Sequence, residues 1–193
     1  MSIKYRIWKK FAFLTQPRMI WGYKNSDGIY LKNTRISNTA FIDNPGKLRI
    51  EDHVFVGHFN YIEASGGITI EEGCQFTNFI SITSHSSHIS IRLYGRKYAN
   101  FQEHEGYEKG EIKISRYTFI GPHSVIMPNT TIGKGSIISA YSYVQGNFPD
   151  FSIIKGNPAK VVGDTRDLDT EYLKENPELE KYYNEWVNRN KSK

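Results

Sequence analysis

The stretch Ile114-Ser-Arg-Tyr-Thr-Phe-Ile-Gly-Pro-His-Ser-Val-Ile-Met-Pro-Asn-Thr-Thr-Ile-Gly-Lys-Gly-Ser-Ile-Ile-Ser-Ala-Tyr-Ser-Tyr-Val144 decides the fold. Counting by six from its first residue lands on Ile114, Ile120, Ile126, Ile132, Ile138 and Val144, an aliphatic at every step. Four places after each stand Thr118, Ser124, Thr130, Ser136, Ser142 and then Phe148, small and hydroxylated in all but the last. Such a step belongs neither to a helix, with about 3.6 residues per turn, nor to plain strand alternation, with a period of about 2. It fits short strands joined by tight corners, each strand sending one large side chain inward. A fixed internal repeat of this kind reads as a solenoid whose stacked coils bury a continuous ladder.

The same step runs upstream through Tyr30, Ile36, Ile42, then Ile50, Val56, Ile62, then Ile70, Phe76, Ile82. Three steps make one superperiod, so each turn of the coil holds three strands. Composition agrees. The chain has 193 residues with 23 Ile against 7 Leu, 7 Val and 6 Ala, 14% aromatics and 16 Gly. That mix favours β structure with many turns over helical bundles or coiled coils, and its aromatic content disfavours disorder. The apolar share of 38% is low, as a thin triangular cross-section with little interior requires.

Net charge is +5, yet residues 164–193 hold eight acids against six bases, so the body carries the excess. A moderately basic body suits a phosphate-bearing ligand; charge alone is no argument for nucleic acid, and none is expected. The single Cys74 excludes an intrachain disulfide framework and a Cys-rich zinc site, and fits a reducing compartment. No apolar run is long enough to span a bilayer, and the N-terminus lacks a signal-peptide pattern.

The segment Tyr117–Val144, followed by Ile154-Lys-Gly-Asn-Pro-Ala-Lys-Val-Val162, resembles the hexapeptide-repeat acyltransferases and, more narrowly, the bacterial sugar O-acetyltransferases. The resemblance covers roughly residues 28–163, and Gly156-Asn-Pro-Ala-Lys160 is its most specific piece. It implies a left-handed parallel β-helix of about five coils, acetyl-CoA as donor with no metal, and a homotrimer with active sites between subunits. The expected fold class is all-β. Residues 1–27 form an N-terminal cap, 28–163 the β-helix with a loop at 84–112, and 164–193 a C-terminal helical extension.

Chemistry is expected where the repeat breaks. Between Ile82 and Ile114 the register is lost over a stretch holding three of the six histidines and four aromatics; a long excursion inside a compact repeat is usually functional. His85 stands at its root, directly after a coil strand, where a side chain is well held. Moving acetyl from a thioester to a sugar hydroxyl calls for a base near neutral pH, which imidazole supplies. The resemblance places the catalytic histidine here too, so His85 is the expected general base and His88 its rival. Asn60, His88, Arg92 and Tyr94, with Arg96 and Tyr98 beside them, are the expected acceptor contacts. Aromatic faces suit sugars, and cations suit acidic sugars or diphosphates. A metal held by His85, His88 and His104 is a further reading, without a ligand-spacing signature.

For the donor, the resemblance implies Phe119 as an aromatic shield, Ser139 and Ala140 as a small pair against the pantetheine arm, and Lys155 and Lys160 near the nucleotide end. At the ends, Ile7, Trp8, Phe11 and Leu14 fall at helical spacing among Lys4, Arg6, Lys9 and Lys10. They read as a helix covering the open end of the coil, or as one lying on a membrane surface. Leu179, Tyr182, Tyr183, Trp186 and Val187 form a helical stripe after Asn176-Pro177-Glu178, expected to pack on the coil or on a neighbouring subunit. The reaction expected is acetyl-CoA-dependent O-acetylation of a surface-glycan sugar (capsule, O-antigen or similar), in the cytoplasm or at the inner face of the membrane. N-acetylation of a nucleotide-linked amino sugar is the alternative enzyme reading. A non-catalytic β-helix used for binding or assembly is the alternative from another class.

Overall fold

The computed structural model describes residues 2–189. Its body is a coil whose strands stack into three faces. The first face carries Tyr30–Ser37, Phe55–Val56, Gln75–Phe76, Phe119–Ile120, Ile137–Ile138 and Ser152–Gly156 in parallel. The second carries Phe41–Asp43, Tyr61–Glu63, Ser81–Thr83, Val125–Ile126 and Tyr143–Val144. The third carries Leu48–Ile50, Ile68–Ile70, Ile112–Ile114, Thr130–Ile132 and Asn147–Phe148. Strands of two or three residues suffice because every backbone group in them pairs with the coil above or below.

The six-residue step is the core. Ile50, Val56, Ile62, Ile70, Phe76, Ile82, Ile114, Ile120, Ile126, Ile132, Ile138 and Val144 are all buried. Tyr30 departs from the series. It faces outward on the strand that begins the first face, where its hydroxyl lies against Gly22, a glycine with φ +82° that leaves no room for a Cβ. The small positions have their own task. Thr118, Thr130, Ser136 and Ser142 each donate their hydroxyl to the carbonyl three residues back, at 2.7 Å. Each such bond closes a corner whose polar group is otherwise orphaned by burial. Cys74 lies in the same core, where burial pushes its thiol up to about 12; it is inert packing material.

The chain leaves the coil after Thr83, at the corner between the second and third faces, and re-enters at Ile112. The third face does not register the detour: Ile112 pairs directly with Ile68 below and Thr130 above. At the C-terminal end Ala159–Asp164 folds back antiparallel on Ser152–Gly156. Two helices follow, α3 at Thr165–Glu175 and α4 at Glu180–Val187, where the pattern suggested one (α1 is the N-terminal helix Ile3–Thr15 and α2 the excursion helix Ser90–Tyr94). The stripe divides. Trp186 packs on Tyr117 and Phe151, with ring centroids 4.7 and 6.0 Å away, while Leu179 and Tyr182 stay exposed.

The N-terminal end differs from expectation. Helix α1, Ile3–Thr15, covers nothing: none of its residues is buried. The edge of the first face is closed instead by Met19–Lys24, which pairs antiparallel with Tyr30–Ser37. A strand satisfies the open backbone groups of an edge directly, which a helix laid across the end does not.

Candidate active site

His85 begins the two-residue strand His85–Ser86, which pairs antiparallel with Glu108–Lys109 and so fastens both ends of the excursion to the coil. Gln145, two coils further on, donates to Glu108 at 2.7 Å. The loop base also needs Gly66. A Cβ there would come within 2.6 Å of the Ser84 carbonyl and 2.9 Å of the Gly110 carbonyl.

The decisive partner of His85 is Glu63, a residue the sequence reading passed over. Glu63 ends the strand one coil below, beside Thr83, and is only 1% exposed. Its Oε2 lies 2.7 Å from His85 Nδ1. Ser84 donates its hydroxyl to the same oxygen at 3.0 Å and its amide at 3.3 Å. The Ser65 amide donates to Oε1 at 2.7 Å and Asn44 Nδ2 at 3.4 Å. Burial pushes the carboxyl up, but hydrogen bonds from Ser65, His85 and Ser84 outweigh it and hold it at about 2. Glu63 is therefore an anion at neutral pH, and a carboxylate only accepts. The proton of the shared bond sits on His85 Nδ1, which leaves Nε2 as a free acceptor on a ring about one-third exposed. Tyr107 stacks on that ring at 5.5 Å and fixes its plane. An imidazole held in one tautomer by a buried carboxylate is the arrangement of a general base.

The remaining expected acceptor contacts fare differently. Asn60 is corrected. It is buried, donates to the carbonyls of Thr77 at 2.8 Å and Gly57 at 3.2 Å, and accepts from the Ile80 amide at 2.7 Å. All of its polar capacity goes to two adjacent corners, so it is a piece of the coil and not a ligand contact. Tyr94 likewise turns inward. Its ring packs edge-on against Phe101 and His104, each 5.0 Å away, and its hydroxyl accepts from the Glu105 amide at 2.9 Å. With Tyr98 stacked on His104 at 3.9 Å, these rings form a half-exposed aromatic cluster within the excursion, Phe101 being 49% exposed. His88 and Arg92 stay exposed on it, Arg92 donating to the His88 carbonyl. The three loop histidines do not converge: His85 goes to Glu63, His88 to Ser86, and His104 to the Tyr98 carbonyl. Among the described residues no group of His, Cys, Asp or Glu is arranged to hold a metal.

The donor residues lie elsewhere on the prism. Ser139 and Ala140 form the corner between the first and second faces, and the amide of Ala140 is approached so closely that a Cβ on Gly121 would come within 2.6 Å of it. Phe119 is part-exposed on the first face, between Gln75 and Ile137. Lys155 and Lys160 face each other as register partners in the terminal hairpin, both exposed. His85 opens from the other edge of the second face, so one chain does not bring it to the same corner as the residues expected at the donor.

This construction, short parallel strands on a six-residue step wound into three faces, defines the hexapeptide-repeat class. Residues 111–146 match the family described as bacterial transferase hexapeptide (six repeats). The chain is 46% identical over 63 residues to a Staphylococcus aureus protein (strain Mu50) that bears an acetyltransferase name, a match covering 32% of each chain. The chain thus spans about a third of the length of that relative. It is 24% identical over 133 residues to an Escherichia coli dTDP-4-amino-4,6-dideoxy-D-glucose acyltransferase, covering 68% of this chain and 69% of that one. Among solved structures, a serine-to-alanine variant of AntD, an N-acyltransferase from Bacillus cereus in complex with dTDP-4-amino-4,6-dideoxyglucose and coenzyme A, is 26% identical. It superposes with a TM-score of 0.51 over 75% of this chain and 89% of that one.

Proposed function

We propose that the protein is an acetyl-CoA-dependent acetyltransferase that modifies a hydroxyl of a surface-glycan sugar, working in the cytoplasm as a homotrimer of left-handed coils. The observation that carries the reading is the His85–Glu63 pair. A sugar hydroxyl is a poor nucleophile until its proton leaves, and a histidine whose Nδ1 is anchored to a buried anion presents Nε2 for that purpose. As the hydroxyl oxygen attacks the thioester carbonyl, its proton passes to Nε2, and the imidazolium that forms is stabilised by Glu63. The tetrahedral adduct then collapses, the carbon–sulfur bond breaks, and the proton goes from Nε2 to the departing thiolate. Holding the two substrates together supplies much of the remaining rate.

The separation of the two half-sites supports the trimer. His85 and the excursion lie at one edge of the second face, while Ser139 and Ala140 lie at the other. Packing three chains with their second faces around a common axis brings the base of one beside the donor corner of the next. Phe119, Lys155 and Lys160 then serve the donor, and His88 and Arg92 the acceptor.

A second reading has its own support. The Escherichia coli relative and AntD both carry nucleotide-sugar acyltransferase descriptions, which favour transfer to the amine of a nucleotide-linked amino sugar. The two readings separate in one assay, thiol release from acetyl-CoA with neutral sugars, oligosaccharides and nucleotide-linked amino sugars as acceptors. With a hydroxyl acceptor, His85→Ala lowers turnover by about 10²–10⁴-fold. Near-normal turnover of the variant with an amine acceptor assigns N-acylation instead. Absence of acetyl-CoA binding by calorimetry refutes both and leaves a binding or assembly role.

A further inference from the structure

We infer that α1 is an interfacial anchor that docks the protein on an anionic lipid bilayer; the inference does not depend on the reaction proposed above. The helix has no partner within the chain. Ile3, Ile7, Trp8, Phe11, Phe13 and Leu14 are each more than half exposed, Trp8 at 68%, and none of the thirteen residues is buried. Yet this sequence does not hold a helix by propensity. It is rich in β-branched and aromatic residues, and a free helix of about thirteen residues is marginal in water even when Ala-rich. Ser2 caps its start, accepting from the Tyr5 amide at 3.3 Å, which adds little. A helix so built forms stably when an apolar medium covers its apolar side.

The charge distribution names that medium. At 100° per residue, Ile3, Leu14, Ile7 and Phe11 fall on one arc with Trp8 at one edge and Lys10 at the other, while Lys9 falls opposite and Arg6 beside it, with Phe13 between those two. Lys4 interrupts the apolar arc, and its long stem can lie along that arc with the amine at the headgroups. From residue 1 to residue 26 there are six cations, Lys4, Arg6, Lys9, Lys10, Arg18 and Lys24, and no acid before Asp27. The following strand continues the surface with Ile20 and Trp21, both exposed, Trp21 carrying Arg35 over its ring at 4.9 Å. Trp and Arg at the edge of an apolar strip suit the headgroup boundary. A second copy laid on α1 would bring the four cations of one helix, Lys4, Arg6, Lys9 and Lys10, against the same four, which argues against self-association there. An anionic leaflet complements both the apolar arc and the charge. With α1 in the bilayer plane, the first coil is held next to the membrane, and the helices at the other end carry the excess of acids, eight against six bases in residues 164–193.

Co-sedimentation of the full chain with phosphatidylcholine vesicles, with and without about a third phosphatidylglycerol, tests this. Binding to the anionic vesicles and none to the neutral ones at physiological salt is expected. Lys9→Gln with Lys10→Gln should weaken partitioning roughly thirtyfold, from about 1 kcal/mol per cation at the surface, and Trp8→Ala with Phe11→Ala should abolish it. Because α1 packs on nothing, both double variants keep the parent's melting temperature and mass by light scattering. No binding to anionic vesicles, or equal binding by the parent and both variants, overturns the proposal. So does a changed mass in Trp8→Ala with Phe11→Ala, which would make a second copy the partner, or a lowered melting temperature, which would place the helix against the chain.

Discussion

Replacing Glu63 with Gln tests how the base is prepared. The side chain keeps its size, but one acceptor oxygen becomes a donor, and every neighbour of the carboxylate is itself a donor. On one side stand the Ser65 amide and Asn44 Nδ2, on the other the Ser84 amide and hydroxyl and His85 Nδ1. Turned with its NH2 toward Ser65, the glutamine faces that amide at the 2.7 Å the carboxylate occupied. Turned the other way, it meets the Ser84 amide and can be satisfied at His85 only if Nδ1 gives up its proton. The imidazole proton then sits on Nε2, and the lone pair that should take the hydroxyl proton is gone. Leaving one buried donor unpaired costs about 1–3 kcal/mol, so the melting temperature should fall by about 2–12 °C at the usual 2–4 °C per kcal/mol for a chain of this size. The tautomer change is a separate loss of about 10²–10⁴ in kcat. Thiol release from acetyl-CoA with the hydroxyl acceptor, followed across pH and alongside calorimetry, distinguishes the two. Turnover within threefold of the parent would refute the orienting role of Glu63, whatever the change in stability.

Three further outcomes follow from the same geometry. Asn60→Ala strips the Ile80 amide of its acceptor and should destabilise the fold by about 2–3 kcal/mol while leaving acceptor KM unchanged; a KM raised tenfold in a stable variant would return Asn60 to the binding site. Ile126→Ala, in the middle of the ladder, should cost about 2–5 kcal/mol in denaturant unfolding, and a cost under about 1 kcal/mol would mean the coil interior is not close-packed there. Glu63 titrates at about 2 in the fold against a reference of 4.5, so its contribution of about 3 kcal/mol is complete above pH 4.5 and is lost as pH falls toward 2. The parent should therefore lose stability across that window more steeply than Glu63→Gln, and parallel acid-unfolding curves would contradict the depressed carboxyl.

What could be read in advance depended on how far each demand reached along the chain. The ladder of Ile114, Ile120, Ile126, Ile132 and Ile138 was legible because every coil asks the same thing of the same place. His85 was legible because it follows a strand and begins the break. Glu63 was not, since its reason for being acidic lies a full coil away. The signal was available: a lone carboxylate directly after the inward Ile62, in register with the strand that leads to His85. Asn60 misled because a corner asparagine bonded to backbone and one awaiting a ligand have the same sequence. The aromatics of the excursion suggested a sugar platform, whereas Tyr94, Tyr98, Phe101 and His104 satisfy a more local need, a packed cluster for a loop too long to lean on the coil. For α1, amphipathic spacing asked for an apolar neighbour without saying which one, and the strand Met19–Lys24 does the capping assigned to that helix.

The seamless passage of the third face past the excursion has an evolutionary reading. Ile112 meets Ile68 as though nothing intervened, so the ladder imposes no condition on the length or content of what lies between Thr83 and Ile112. Because the excursion brings its own aromatic cluster and is fastened at its base by His85–Ser86 against Glu108–Lys109, it behaves as an interchangeable cassette. On the proposed reading, exchanging the part of that cassette between Ser86 and Glu108 alters the acceptor while Glu63 stays in place, but it also replaces Tyr107, the ring stacked on His85.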